Sequence, residues 1–428
     1  MIAAVLFAAA QVVTAQSPAP DRQALPLSTT AAVAREPGSN LTVYLLTMGP
    51  GDQVWEMFGH NAIWIRDAEA GTDIAYHWGL FEFADSDFVP RFIQGRMRYS
   101  MGAFDMEQTV DQYRQTNRTV WAQELNLSPA QRLRLVEFVA WNNLPQNRHY
   151  DYDYYRDNCS TRVRDAIDGA LGGVIEAAST RVGTGTTYRF HTSRLTQDGL
   201  GIFTGTMIGL GQPVDREISA WEEMFLPVRM KERLKEIRVG TPNGSEPLVR
   251  GETVLFQASR TLEEVAVNRG IGVYLAIAAG FVAAGILLWL LPLGAAGKTG
   301  ALAVATLWSV IAGIGGTLLA FLWGFTDHIY SYRNENLFQL NPVSLIAAVL
   351  IVRLIWKRRG EAAASAAALR DARRATLVVA LISVAGFVLQ VVPGLDQVNS
   401  SVIALAMPLH IGAAALLHLI GRPPRDSF

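Results

Sequence analysis

The chain of 428 residues contains one cysteine, Cys159. An internal disulfide is excluded. In an exported protein such a thiol is either a small buried side chain or a free group with a task. The net charge of −1 lacks the positive excess expected of a nucleic-acid partner. Short catalytic signatures are also missing. There is no H-E-x-x-H and no P-loop, and neither "GLGQPV" nor "GTMIGLG" completes a dinucleotide fingerprint. No G-x-S-x-G nucleophile motif occurs. The histidine spacings do not resemble a metal-ligand set. No metal and no cofactor are expected.

Apolar sequence, in contrast, is abundant. Half of the residues are hydrophobic and the mean hydropathy is +0.19, which points to a membrane-embedded part. Residues 1–15 read as a signal peptide ending at Val13-Thr14-Ala15, although the positive n-region is absent, so a retained anchor is the alternative. Residues 16–40 read as a linker, 41–268 as an extracytoplasmic globular domain and 269–428 as a transmembrane domain. Five apolar spans are expected at Ile271–Leu293, Ala301–Gly324, Leu340–Trp356, Ala375–Val392 and Ser401–Ile420. The Lys357–Arg374 loop carries six basic residues and the tail two, which places both inside and the globular part outside. The expected location is the bacterial inner membrane, multi-pass.

The globular part reads as α+β. "GHNAIWIRD" and "DIAYHWGLFEF" alternate and are joined by a turn, so they predict a hairpin. "SPAQRLRLVEFVAWNNL" predicts a helix capped by Ser128, with Leu133, Val136 and Ala140 on its apolar side. Another helix is expected near Arg229–Ile237, and "EPLVRGETVLFQASR" reads as a closing hairpin.

Cys159 follows "YDYDYYRDN". Asn158 is a good N-cap, so the thiol falls in the first turn of a helix with Val163, Ala166, Ile167 and Ala170 on its apolar side. Free amides at a helix start stabilise a thiolate and can form an oxyanion hole. A structural cysteine is the alternative. A thiol nucleophile needs a base. His60 opens one predicted strand and His77 lies on the next. If those strands pair, His77 can orient His60, as in a circularly permuted papain-like triad. Lone strand histidines are otherwise structural. His149 and His191 lack this setting, and His410 and His418 fall in the last span. The Tyr/Asp run, with Tyr155, Asn158 and Arg162, supplies candidate substrate contacts; its aspartates also read as an exposed acidic face. "WGFTDHIYSYRNENLFQLNP" should lie at the outer boundary, where His328, Asn334 and Asn336 form either a headgroup-binding ledge or an ordinary interfacial loop.

Together "FGHNAIWI", "HWGLF", "YDYDYYRDNCSTRVRD", "WEEMFLP" and the loop from Asp327-His328 to Asn341-Pro342 resemble the Lnb family. These are bacterial envelope proteins with an extracytoplasmic thiol domain, similar to the permuted NlpC-like papain superfamily, on a multi-helix membrane domain. The resemblance covers nearly all of the chain after the linker. It implies an acyltransferase that moves a chain from the sn-2 glycerol oxygen of a diacylated lipoprotein to its α-amino group, giving the lyso form. It also implies Cys159 as nucleophile and His60 as base; His77 as third member follows from strand position. Two other functions stay open: a cell-wall peptidase or amidase using the same residues, and a non-enzymatic membrane assembly protein. Oligomeric state is not readable.

Overall fold

The computed structural model describes residues 36–81, 87–260, 270–358 and 362–420. The expected signal peptide and most of the expected linker lie outside these residues. The chain starts with β1 (Leu41–Met48), β2 (His60–Asp67) and β3 (Thr72–Leu80). After α1 (Phe88–Gln94) come β4 (Arg98–Asp105), α2 (Met106–Gln115), β5 (Val120–Leu125), α3 (Pro129–Asn142) and β6 (His149–Asp151). The expected hairpin is present: β2 and β3 run antiparallel, with Asp67 opposite Thr72 and Ala62 opposite His77.

The helix α4 (Cys159–Leu171) is followed by α5 (Val174–Ser179), β7 (Gly183–Thr187), α6 (Tyr188–Thr196) and α7 (Leu200–Gly209). Next come β8 (Glu217–Ser219), α8 (Ala220–Glu223), α9 (Pro227–Glu236), β9 (Arg238–Thr241), β10 (Gly244–Pro247) and β11 (Val249–Phe256). The closing hairpin expected in residues 246–260 does not form. β10 turns back on β9, and β11 instead pairs with β5 at the sheet edge. The seven-stranded sheet has the order β11-β5-β1-β2-β3-β4-β6.

Alternation along the strands feeds a core on each face. One face carries Val43, Leu45, Ile63, Ile65 and Trp78 against Leu135 and Val139 of α3 and Val163 and Ile167 of α4. The other carries Leu46, Met48, Ala62 and Ala75 against Met106 and Tyr113 of α2. Ser128 caps α3 with a reciprocal bond pair to Gln131. The buried side of α3 is Leu135, Val139 and Asn142; Ala140, expected inward, is exposed. The Asn142 carbonyl draws that side in by accepting 2.8 Å from the Trp78 indole N–H.

The membrane part comprises α10 (Ile271–Leu290), α11 (Gly294–Phe325), the short α12 (Asn336–Gln339), α13 (Val343–Lys357), α14 (Ala362–Leu389) and α15 (Ser400–Ile420). Among the described residues, five helical stretches are long and apolar enough to cross a membrane, with α12 and α13 counted as one. Two of them start well before the expected residue. α11 begins at Gly294 rather than Ala301, and α14 at Ala362 rather than Ala375. Alanine and arginine are strong helix formers, so the basic segment extends the helix beyond its apolar stretch instead of forming a loop.

Candidate active site

Cys159 is the first residue of α4. Asn158 caps the helix, its side-chain oxygen accepting from the amides of Ser160 (2.8 Å) and Thr161 (3.0 Å). Its amide group donates to the carbonyls of Tyr154 and Phe225. The first turn is thus fixed from both sides.

A second fixture comes from β2. Asn61, fully buried, accepts 2.7 Å from the Ser160 hydroxyl and donates to Leu46 O and Thr47 Oγ1. The backbone N–H of Asn61 points at the Cys159 sulfur, as do those of Ser160 and Cys159 itself. The residue after His60 therefore touches the thiol directly. Gly79 lies across from Cys159: a Cβ there would sit 3.4 Å from the Cβ of Cys159, an ordinary contact, so it is the backbone φ of +94° that calls for glycine.

His60 and His77 lie parallel, with ring centroids 5.2 Å apart, and His60 Nε2 is 3.0 Å from His77 Nδ1. His77 Nε2 is 3.4 Å from the Thr109 hydroxyl, which donates to Asp105 O at 3.0 Å. That commitment makes Thr109 the acceptor from His77 Nε2–H. His77 Nδ1 is then an acceptor, His60 Nε2 carries the proton, and His60 Nδ1 keeps its lone pair. Tyr113 stacks on His60 at 6.3 Å, and the Arg118 guanidinium lies 4.7 Å over Tyr113.

Burial holds His60 well below the ordinary histidine range, helped by His77 and Arg118. Burial brings His77 down to about 4. The thiolate stabilisation expected from the helix start is outweighed. Burial pushes the Cys159 thiol up, although the Asn61, Ser160 and Cys159 amides and Arg118 pull the other way. Burial thus favours the neutral form of the thiol and of both imidazoles.

Tyr99, Tyr113, Tyr150 and Tyr152 surround the sulfur closely enough for its charge to raise each of them further, beyond the effect of burial. The Tyr150 hydroxyl is buried without a hydrogen-bond partner. A cavity of about 450 Å³ borders the site through Leu80 and Phe104 and is also lined by Arg148 and Asn143. Among the described residues, no three His, Cys, Asp or Glu side chains come together as a metal-binding set.

Residues 32–194 match the family model described as the Lnb N-terminal periplasmic domain, and residues 275–365 match the Lnb transmembrane domain. Together the matches span more than half of the chain. The chain belongs to the Lnb family. No curated protein and no solved structure matches it. The family match and the five apolar helices make it a multi-pass inner-membrane protein with its N-terminal domain on the periplasmic side.

In this Lnb-family chain the remaining candidate residues are spread over several contacts. Tyr155 is buried against Tyr188, Phe225 and Tyr330, its hydroxyl 2.8 Å from Thr192. Arg162 pairs with Asp157 and covers the Tyr150 ring at 4.2 Å. His328 sits at the end of α11 against the Phe92 carbonyl, 2.9 Å away. Asn334 and Asn336 are almost fully buried, and their amide groups donate to the last carbonyls of α7, those of Met207, Ile208 and Gly209. These donors join the two parts of the chain. Only the strand made of His149–Asp151 is extended in the Tyr/Asp run; Asp153 to Asp157 folds into a turn held by Asp153. Asn61, Thr109, Tyr113 and Arg118 escaped sequence reading. Each is an ordinary polar or aromatic residue in its local pattern and meets the site only through the sheet and α2.

Proposed function

We propose that this protein is a thiol-dependent acyltransferase acting at the outer face of the inner membrane. Its most economical substrate is a diacylated lipoprotein, converted to the lyso form by transfer of the sn-2 chain to the α-amino group. The observation that carries the reading is the 3.0 Å His60–His77 pair on β2 and β3, next to an Asn61 amide directed at Cys159. Family membership supports the substrate class.

The chemistry follows from a neutral pair. His60 Nδ1 takes the Cys159 proton as sulfur attacks the ester carbonyl carbon. The Asn61, Cys159 and Ser160 amides, which face the sulfur, donate to the developing oxyanion in this reading. The glycerol oxygen leaves with the proton from His60, and a thioester remains. The lipoprotein amine then attacks the thioester, His60 removes its proton and returns it to the departing sulfur. The acceptor is part of the same molecule as the donor, so the second step is effectively unimolecular.

The test is mass spectrometry of the N-terminal peptide of a co-expressed reporter lipoprotein. With the wild-type protein, one acyl chain moves onto the amine; with Cys159→Ala it stays on glycerol. An unchanged peptide with the wild-type protein removes this substrate. Cleavage of muropeptides by the wild-type protein but not by Cys159→Ala replaces the reading with a wall hydrolase.

A further inference from the structure

α1 does not bury a single residue. Val89, Phe92 and Ile93, at i, i+3 and i+4, form an apolar stripe along it and are 61%, 51% and 47% exposed. An isolated seven-residue helix has no reason to display three large apolar side chains to water. Its position supplies the reason. Asp327 N donates to Gln94 O at 2.8 Å, His328 Nε2 lies 2.9 Å from Phe92 O, and Arg96 pairs with Asp327 at 2.5 Å. A Cβ at Gly95 would lie 2.8 Å from His328 N, so the contact is backbone against backbone. Asp327 and His328 follow α11 after Thr326, and the last five residues of that helix expose Phe321, Trp323 and Phe325. The apolar stripe of α1 therefore stands at the depth where this spanning helix leaves the hydrocarbon.

We infer that α1 lies in the outer leaflet, with Val89, Phe92 and Ile93 among the acyl chains, and brings the mouth of the Cys159 site to the lipid surface. The route inward is aromatic. Phe88 stacks on Phe81, Phe81 on Tyr99, and Tyr99 meets Tyr152 at 4.1 Å. Tyr99 and Tyr152 are among the groups around the sulfur. An acyl chain taken from the leaflet beside α1 reaches the thiol along this line of aromatic rings. This second part rests on the acyl-transfer reading; the insertion of α1 does not.

The experiment uses the full chain with Cys159→Ala and Ile93→Cys, labelled with an environment-sensitive fluorophore and reconstituted in phosphatidylglycerol/phosphatidylcholine vesicles. Emission should be blue-shifted relative to the same label at Glu137→Cys on α3. It should be quenched by lipids carrying a nitroxide high on the acyl chain and not by aqueous iodide. Quenching by iodide overturns insertion. Protection from both quenchers also overturns it, in favour of contact with another protein copy. In vesicles, Val89→Ser/Phe92→Ser/Ile93→Ser should lower transfer by on the order of tenfold, with alkylation of Cys159 by iodoacetamide unchanged. Wild-type transfer by that variant overturns the route. If the wild-type protein itself transfers nothing, the acyl-transfer reading fails and takes the route with it, while the quenching result still decides insertion.

Discussion

Thr109 shows how one hydroxyl can set a proton inventory. Its hydrogen is committed to Asp105 O, so it receives His77 Nε2–H, and the lone pair is passed along to His60 Nδ1. Thr109→Val should lower kcat by on the order of tenfold or more, and Thr109→Ser should restore it; equal loss in both variants would mean a packing role only. The protonation states give a pH signature. His60 and His77 bind protons less readily folded than unfolded, and burial raises the thiol. Transfer should therefore be flat around neutrality and fall only as pH drops well below 6.5, where His60 charges. Stability follows the same sign. Below pH 6.5 the unfolded chain binds more protons, so melting temperature should decrease through that window, down to about 4 for the His77 contribution. Loss of transfer already centred at pH 6.5 would contradict a buried, neutral base. His60 and Cys159 stand out in the sequence because their chemistry is rare there. Thr109 and Asn61 do not, because their importance comes from neighbours brought in by folding.

At the level of elements, the site rests on the junction of β2 with the start of α4. Asn158 holds two amides of its own helix and two carbonyls beyond it, and Asn61 joins the strand to Ser160. Asn158→Ala should cost about 1–2 kcal/mol from the cap alone and more from the buried carbonyls left unpaired. The expected result is a clear drop in melting temperature together with lost transfer. A variant as stable as wild type would show that α4 is held by packing alone. The β2–β3 hairpin and the start of α4 were legible because a tight turn and a cap are local signals. The edge position of β11 was not. Its partner β5 lies over a hundred residues earlier, and nothing in residues 246–260 distinguishes pairing with β5 from pairing with β10.

Across the whole molecule, the membrane part holds the domain it carries through many polar contacts. Tyr330 donates 2.6 Å to Asp153, the residue that shapes the turn before Cys159. Gly211 N donates to Tyr330 O, Gln397 to Leu210 O, and Asn334 and Asn336 to the end of α7. Asn334→Ala/Asn336→Ala should speed protease cleavage near residues 199–211 in detergent and lower transfer, with the rate of Cys159 alkylation little changed. Unaltered cleavage would assign those residues a role in binding rather than in joining the parts.

By itself the sequence determined five membrane crossings, their orientation, an α+β outer part and the rare residues that chemistry can use. Those are consequences of composition, charge placement and short-range periodicity, which act within a few turns of chain. Tertiary structure decided the rest. It placed β11 beside β5, put the Asn61 amide on the Cys159 sulfur, gave His60 its tautomer through His77 and Thr109, and turned Asn334 and Asn336 toward α7. It also reversed the expected thiol shift, because the field of a helix start is local whereas the loss of water around a sulfur depends on everything packed over it.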